Sequence, residues 1–376
     1  MNSYKVILVA AGSFAACSPA FSQSSVTLYG ELDESIQYVH NTGGQHSQIS
    51  LQGGQIGTNK WGLKGAEDLG GGLQAVFRLE NGFDINNGKA KQGGALFGRY
   101  AYVGMKSDSY GTILAGRQYD TLMDLVYPVQ PNNYLYYFTT PGDVDNSDGN
   151  ARINSQVKWL SPVWSGFRVA AAYSFGGVAG SMGSGQTYSF ATSYTAGPLM
   201  LAAGYSHADQ GNPTLSTRGT STYGSLFLSP VNEAYSTAKA INIARAGAKY
   251  SIGPVTLGGY YSYSEYLPDA YSKFRIAERY NNGSIYANWN ITPFVLVQVG
   301  YDLLKSHGDS SATYNQVTLT GDYLLSKRTD VYASASYGHA SGHNGLGVAQ
   351  AVIADSFPAA GNASQTLVFL GMRHRF

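Results

Sequence analysis

The residues best suited to chemistry in this chain are basic side chains that recur on the polar faces of alternating segments in its first half. Bases stacked on neighbouring strands form a charged wall, which is one way in which a pore discriminates between ions. The alternative is that these scattered bases merely solvate a surface. The central members are Lys60, Arg78, Arg99, Arg117 and Arg152, and the flanking members are Lys64, Lys158 and Arg168, with the acid Glu80 on the same faces.

A long stretch without alternation, residues 118–150, supplies acids that could face these bases. Loops longer than about 12 to 15 residues are usually functional or disordered. This one is too aromatic to be disordered, because Tyr134 and Phe138 bound a run of four aromatic residues in five positions. We expect the loop to pack against a wall that includes Ala101 and Val103. Its acids predicted to reach the bases are first Asp120 and Asp124, and then Asp143 and Asp145.

The only clustered candidates for nucleophilic chemistry are His339, Ser341 and His343. A hydrolase on the outer wall of a barrel would need a carboxylate that orients the histidine, and none lies nearby in the sequence. Metal binding needs further His or Cys ligands, which are also lacking nearby. We therefore expect a protein that is not an enzyme and that needs neither a cofactor nor a metal.

The N-terminus has the pattern of a secretory signal peptide. Lys5 precedes an apolar run over residues 6–16, and the small-residue exit at Ala20 and Ser22 predicts cleavage after Ser22. A buried helix and a lipid-modified Cys17 are the alternatives, but the run is too short to span a bilayer and its sequence fits a lipid attachment site poorly. Residues 1–22 are thus predicted to be a signal peptide, and residues 23–376 a single domain.

Composition restricts the class of the exported chain. The chain has 47 Gly, 30 Tyr, one Cys and 12% charged residues, and its formal net charge is +1. Loss of residues 1–22 would remove Lys5 and Cys17, which leaves no net charge to attract a nucleic acid and no thiol to form a disulfide. Tyrosine suits the bilayer interface and glycine suits turns and crowded inner walls, so an outer-membrane β-barrel is favoured over a soluble β protein.

Strands and connections alternate along the whole chain. Residues 26–40 place apolar and polar side chains on opposite faces, and residues 56–67 and 73–83 read as a hairpin. Seven tight connections alternate with eight longer ones, which predicts 16 antiparallel strands with short turns at one end. The eight longer connections are residues 41–55, 84–96, 118–151, 176–185, 208–241, 267–276, 307–312 and 339–363.

The two ends of this pattern suggest closure and assembly. The last strand, residues 364–376, is apolar on one face and ends in Phe376, which makes sense if it pairs with the first strand, because an open edge cannot exist in hydrocarbon. Glu34 falls on the apolar face of the first strand. A carboxylate facing lipid is costly, so we expect protein to cover it, as a subunit interface would.

Seven segments in order give the chain a family likeness. It resembles the general-diffusion porins of the Gram-negative outer membrane, specifically the β-proteobacterial type. The segments are residues 25–30 (SVTLYG), 62–73 (GLKGAEDLGGGL), 99–104 (RYAYVG), 116–118 (GRQ), 172–176 (AYSFG), 325–333 (LSKRTDVYA) and 371–376 (GMRHRF).

The resemblance implies an all-β fold: a 16-stranded antiparallel transmembrane barrel with its long third loop folded into the lumen. It also implies a homotrimer in outer-membrane lipid, passive diffusion of small hydrophilic solutes and inorganic ions, and recognition of the Phe376 strand by the outer-membrane assembly machinery. Lys60, Arg99 and Arg152 fall where porins carry a basic wall, and Lys60 stands where arginine is more usual. Because bases outnumber acids near this wall, we expect a weak anion preference.

Two readings of the aromatic run remain open. Its rings either pack the loop against the inner wall, as in a general pore, or form stacking rails for sugars in a solute-selective channel. A general pore would rank solutes by size, whereas a selective channel would not.

Overall fold

The computed structural model describes residues 24–134, 138–215, 225–354 and 359–376. The predicted signal segment, residues 1–22, and residues 135–137 of the aromatic run lie outside these ranges. Eighteen strands are present in the described chain, all in one sheet. They are β1 (Ser25–Thr42), β2 (Gln45–Gly53), β3 (Lys60–Gly70), β4 (Leu73–Gly82), β5 (Tyr100–Ser107), β6 (Gly111–Gln118), β7 (Ile153–Leu160), β8 (Phe167–Ser174), β9 (Thr187–Ala196), β10 (Leu199–Asp209), β11 (Ala240–Ile252), β12 (Val255–Leu267), β13 (Glu278–Thr292), β14 (Val295–His307), β15 (Ser311–Leu324), β16 (Thr329–Asn344), β17 (Gly347–Val348) and β18 (Ser364–Arg375).

These strands form a closed antiparallel barrel with 16 strand positions around its wall, and we call each such position a stave. β2 pairs with the upper half of β1 and β3 with its lower half, so the two together occupy one stave. β17 pairs only with the last residues of β16 and adds no stave. β18 pairs with β16 on one side and with β1 on the other, from Glu31 opposite Arg375 to His40 opposite Thr366. The predicted pairing of the last strand with the first is confirmed.

The structure corrects several predicted connections. Most of residues 41–55, predicted as a long connection, form β2, and residues 307–312 contain only a three-residue link between β14 and β15. β16 extends to Asn344, six residues into the predicted connection 339–363. Polar, alternating stretches such as β2 lengthen the sheet beyond its apolar band, where apolar periodicity gives no signal.

Side-chain alternation separates an inner from an outer face on every stave. On β1, Glu31 and Asp33 are buried inside the barrel, whereas Leu32 and Ile36 are exposed on its outer surface. Glu34 shares the outer face, in register with Gly53 and Met372. The wall is uneven in height, because β5 to β8 have eight residues each and β11 to β16 have 13 to 16.

The barrel interior is filled on one side by long connections. One helix, α1 (Thr121–Leu125), and several single 3-10 turns lie in the connection between β6 and β7. Within the described ranges, no helix is long and apolar enough to cross a membrane. The same part of the chain has no group of three or more His, Cys, Asp or Glu that could hold a metal ion.

Candidate functional site: a lumen with two unlike walls

The connection between β6 and β7, which we call the inner loop (residues 119–152), lies inside the barrel. It begins with α1, where the side chain of Asp120 accepts the Met123 N–H at 2.9 Å and caps the helix. α1 packs against β8, β9 and β10, and Leu122 and Val126 are fully buried there. The inner loop therefore has an apolar face that is buried against the inside of the wall.

Inward-facing glycines make room for this apolar face. A Cβ added to Gly204 would lie 2.9 Å from Leu122, and one added to Gly300 would lie 2.1 Å from the ring of Phe138. Gly247 stands in the same relation to Val129, at 2.8 Å. Because these distances are shorter than any real Cβ contact, the inner loop approaches the backbone of β10, β11 and β14 at positions where only glycine fits.

Hydrogen bonds hold the inner loop on the same side. The hydroxyls of Tyr286 and Tyr266 donate to the carbonyls of Val129 and Val144 at 2.8 and 2.7 Å. The side chain of Gln298 donates to the Pro131 carbonyl at 2.8 Å. The loop thus stands on the strands β10 to β14, which we call the loop-bearing wall. The predicted seat at Ala101 and Val103 is wrong, because Val103 is 61% exposed on the outer face of β5.

Two of the four predicted loop acids pair with bases. Asp120 is buried and contacts Arg245 of β11 at 3.4 Å, a base that sequence reasoning missed. Asp124 contacts Lys158 of β7 at 2.6 Å, and burial raises the pKa of the Asp124 carboxyl above its ordinary value despite this nearby ammonium.

The other two acids are fully buried and organise the loop backbone. Asp143 accepts the Asp148 N–H at 2.8 Å and a side-chain N–H of Asn150 at 2.9 Å. Asp145 accepts the Tyr260 hydroxyl at 2.7 Å. These two carboxylates are engaged by partners in the loop and the loop-bearing wall.

The opposite side of the lumen, formed by β1 and β3 to β8, carries the predicted bases, and we call it the basic wall. Three of them have carboxylate partners on the same wall. Lys60 lies 3.0 Å from Glu31, and both Arg78 and Arg99 contact Glu80, at 2.5 and 2.6 Å. Sequence reasoning missed Glu31 as a partner. Glu31 and Glu80 therefore neutralise part of the positive charge of these three bases.

Arg117 and Arg152 differ from the others. The Arg117 guanidinium donates to the carbonyls of Gly98 and Arg152 at 2.8 and 3.2 Å. That of Arg152 donates to the Tyr119 hydroxyl at 2.7 Å and lies over its ring. In the described ranges no carboxylate lies within 4.0 Å of either guanidinium. Their charges are therefore positioned by neutral groups.

Arg117 and Arg152 line an open cleft of about 600 Å³ with Lys91. Among the described residues, the cleft is further lined by Gln92, Gly93, Asn150, Asn154, Ser225 and Leu228, none of which is acidic. The remaining flanking bases lie on the same wall: Lys64 stands over the Tyr29 ring at 5.3 Å, and Arg168 is half-buried on β8. The lumen therefore offers a basic cleft on one side and a loop-covered surface on the other.

Two more connections narrow the lumen from the loop side. Asn232, between β10 and β11, donates to the Leu226 carbonyl within its own connection at 2.9 Å and reaches the Gly142 carbonyl of the inner loop at 3.4 Å. In the connection between β16 and β18, the Ala354 carbonyl accepts the Gly142 N–H at 2.6 Å, and Ile353 is fully buried. The inner loop is thus braced by two further segments.

The chain end and the histidine cluster both lie away from the cleft. Gly30 and Phe376 exchange two backbone hydrogen bonds of 3.0 and 3.1 Å at the barrel seam. His339, Ser341 and His343 alternate on the exposed outer face of β16. No hydrogen bond joins Ser341 to either histidine among the described contacts, so the nucleophile and base of a hydrolase are not assembled there.

Comparison with known proteins decides the family. Residues 7–343 match the family model of the Gram-negative porins. The chain belongs to this family. It is a porin of the outer membrane, with the 16-stranded barrel that the resemblance implied, and the family and fold point to a channel and not to an enzyme.

Similar proteins cover the porin nearly end to end. An outer membrane porin protein of Bordetella pertussis is 28% identical over 99% of this chain and 100% of its own. An anion-selective porin from Comamonas acidovorans superimposes with a TM-score of 0.76 at 22% identity, covering 94% and 100% of the two chains. The trimer form of OmpT from Vibrio cholerae superimposes with a TM-score of 0.66 at 18% identity, covering 94% and 99%.

Proposed function

We propose that this porin passes small hydrophilic solutes and inorganic ions by passive diffusion, with a weak preference for anions. The observation that carries this proposal is the cleft lined by Lys91, Arg117 and Arg152, in which none of the described lining residues is acidic. Rings and ladders of such side chains are a recurring source of ion selectivity. The predicted roles of the wall residues are part of this proposal.

The expected preference is weak for an electrostatic reason. Unit charges about 8 Å apart interact by about 0.5 kcal/mol in water and about 2 kcal/mol at an effective dielectric constant of 20. Such energies orient a passing ion without trapping it, which suits throughput. The ion pairs of Lys60, Arg78 and Arg99 reduce the net charge of the wall further.

Zero-current potentials across a planar bilayer test this proposal. With a tenfold KCl gradient, we expect a potential of the sign that marks modest chloride preference, and a preference that weakens as salt rises because screening shortens the range of the wall charges. A strong cation preference would contradict the proposal.

A solute-selective channel is the alternative, and the described aromatic residues of the inner loop bear on it. Phe138 is buried against Gly300, and the Tyr134 hydroxyl accepts a hydrogen bond from the Lys249 ammonium of β11 at 3.1 Å. Both rings therefore pack against protein, which favours the general pore. Liposome swelling with a series of sugars separates the two: a strict order by size supports the general pore, and a break in that order supports selectivity.

We also propose that the porin is a homotrimer. Glu34 lies on the outer face of β1, where a carboxylate in contact with lipid is costly, and a neighbouring subunit would cover it. A structurally similar protein has a trimer form. Native mass spectrometry of the detergent-extracted protein should give three chains, and Glu34→Arg should shift it toward monomer. A monomeric wild-type protein would contradict the proposal.

A further inference from the structure

Tyr119, the first residue of the inner loop, lies where this loop meets the basic wall. Only 7% of its surface is exposed. Its ring packs edge-on against the ring of Tyr100, at a centroid distance of 5.2 Å. A Cβ added to Gly149 would lie 2.8 Å from the Tyr119 ring, so the inner loop closes over the ring at a position where only glycine fits. The Tyr119 side chain is therefore held in one place.

Two guanidinium groups donate to the hydroxyl oxygen of Tyr119. Arg152 donates at 2.7 Å and Arg99 at 3.2 Å. A guanidinium has donors and no acceptor, so neither arginine can take a hydrogen bond from the hydroxyl proton. Among the described hydrogen bonds, the proton of Tyr119 has no acceptor. This arrangement suits a phenolate oxygen, which accepts hydrogen bonds and donates none.

The buried tyrosines of the loop-bearing wall are bonded in the opposite sense. The hydroxyls of Tyr266 and Tyr286 donate to backbone carbonyls at 2.7 and 2.8 Å. That of Tyr260 donates to the Asp145 carboxylate at 2.7 Å. Each of these hydroxyls uses its proton to hold the inner loop. Tyr119 differs from them because its oxygen, and not its proton, makes the described bonds.

The Tyr119 hydroxyl also lies within a row of charged groups on the basic wall. Glu80 contacts Arg78 at 2.5 Å and Arg99 at 2.6 Å. Arg99 reaches from Glu80 to the Tyr119 hydroxyl, and Arg152 donates to that hydroxyl from the other side. With a neutral tyrosine, this row has three positive charges and one negative charge. A phenolate would add a second negative charge, and the signs along the row would then alternate.

The surrounding charges favour loss of the proton. Burial raises the pKa of the Tyr119 hydroxyl, but the guanidiniums of Arg152 and Arg99 lower it by more, so the pKa lies below the ordinary tyrosine value of about 10 although Glu80 opposes this shift. The charged groups that surround Tyr119 on β4, β5, β6, β7 and the inner loop are Glu80, Arg99, Arg117, Lys158, Asp124 and Arg152.

We propose that Tyr119 is a positioning residue for ion selectivity: its hydroxyl holds Arg152 at the cleft, and loss of its proton in mildly alkaline solution neutralises that arginine. This inference rests on the anion preference proposed above. While Tyr119 is protonated, the charge of Arg152 is available to a passing anion. Once the proton has passed to water, the phenolate pairs with Arg152. The anion preference is therefore fully present below the Tyr119 pKa and weakens as the pH rises through it.

Ultraviolet difference absorbance of the detergent-purified porin detects tyrosinate directly. We expect a single tyrosine to ionise below the ordinary pKa of about 10, and Tyr119→Phe to lack this early step. Tyr110→Phe, which removes a tyrosine that is 81% exposed between β5 and β6, is the matched control and should keep the step. A titration without an early step, or an early step that survives in Tyr119→Phe, would overturn the inference.

A second pair of variants tests the cause of the early ionisation. Arg152→Gln removes a charge that favours the phenolate, so the absorbance step should move to higher pH. Arg275→Gln removes a charge from an exposed outer loop and should leave the step in place. Single-channel conductance checks that each variant folds. Equal midpoints in the two variants would exclude Arg152 as the partner of the phenolate.

Zero-current potentials over the same pH range connect ionisation to selectivity. We expect the chloride-to-potassium permeability ratio of the wild type to fall about twofold across the step, which is the effect of one unit charge acting over about 8 Å of water. In Tyr119→Phe the ratio should stay level there and fall only near pH 10.4, about where lysines lose their protons. Parallel profiles for the two proteins would overturn the inference. A wild type without anion preference at neutral pH would instead contradict the proposed function, and the absorbance titration would still decide the state of Tyr119.

Discussion

The two sides of the lumen use their side chains in opposite ways. On the basic wall, Arg117 and Arg152 are held by carbonyls and a tyrosine hydroxyl, and no carboxylate in the described part of the chain pairs with them at the cleft. On the loop-bearing wall, Arg245 is buried and its charge is met by Asp120. The basic wall presents positive charge to the cleft, whereas the charge of Arg245 on the loop-bearing wall is paired with an acid of the inner loop.

This difference explains how the inner loop can narrow the pore while the two sides of the lumen still differ in charge. The inner loop carries acids, but Asp143 and Asp145 are fully buried in bonds within the loop and to its wall. The carboxylates that could have opposed the basic wall therefore make hydrogen bonds that hold the inner loop. In the proposed function, the transverse field arises mainly from the bases of one wall, and this is the basis of the proposed anion preference.

The largest effect is expected from breaking the loop-bearing wall at Arg245. Arg245→Met removes the guanidinium that pairs with the buried Asp120 carboxylate, and breaking a buried ion pair in this way typically costs about 3 to 5 kcal/mol. We expect a lower melting temperature and faster proteolysis within residues 119–152. Arg245→Met combined with Asp120→Asn should recover most of the loss. A single variant as stable as the wild type would show that this pair does not hold the loop.

A smaller effect is expected from filling a glycine seat. Gly300→Val places carbon where the Phe138 ring lies, so the inner loop must move, and overpacking of this kind costs about 1 to 3 kcal/mol. We expect a larger single-channel conductance with more current noise. Gly321→Val, on the open outer face of β15, is the matched control and should leave conductance unchanged. Equal traces from both variants would contradict the seating of the loop.

The basic wall should respond in selectivity and not in stability. Arg117→Gln with Arg152→Gln removes about 0.5 to 2 kcal/mol of attraction for an anion in the cleft, which corresponds to about a two- to thirtyfold fall in the permeability ratio of chloride to potassium. Lys273→Gln with Arg275→Gln removes the same charge from the exposed outer loops and should change the ratio less. An equal change would mean that total charge, and not the cleft, sets the preference.

The smallest effect is expected from acid. Because the pKa of the Asp124 carboxyl is raised, this group takes up its proton at a higher pH than an ordinary aspartate, whose pKa is about 4. Protonation leaves the Lys158 charge uncompensated, so the anion preference should increase as the pH falls from 7 toward 4. Asp124→Asn should show the raised preference already at pH 7 and a flatter pH profile. A variant with the wild-type profile would exclude Asp124 as the titrating group.

Most of the architecture could be predicted from the sequence, because apolar and polar side chains alternate along each strand wherever lipid covers its outer face. The stave count and the seam between the first and last strands follow from periodicity and connection lengths, whereas the inward position of residues 118–150 was implied by the resemblance to porins. The same logic fails under the inner loop. On β11, Ile241 and Ile243 point inward and are buried beneath loops, while the outward Ala246 is exposed. On this part of β11, the alternating apolar side chains therefore mark the inner face, whereas elsewhere in the barrel they mark the face toward lipid.

That inversion also explains why Arg245 was missed. A base that follows two isoleucines at alternate positions reads as a member of a lipid-facing row, whereas the row in fact lies under the loop. The partners of Asp120 and Asp145 on β11 and β12 were likewise unpredictable, since they depend on contacts between distant strands and the inner loop, and those of Asp143 depend on how the inner loop folds on itself. Ion pairs across strands, such as Lys60 with Glu31, require the register that only the structure supplies.

The seam between Gly30 and Phe376 has a consequence for how the barrel forms. Its pairing joins residues from opposite ends of the sequence, so its formation closes the sheet into a barrel. Loop closure over long separations adds little cost, about 0.6 kcal/mol for each doubling of length. The greater problem is exposure, because until that moment both edge strands carry unpaired N–H and C=O groups that hydrocarbon does not tolerate. Pairing of the last strand with the first therefore removes both open edges of the sheet.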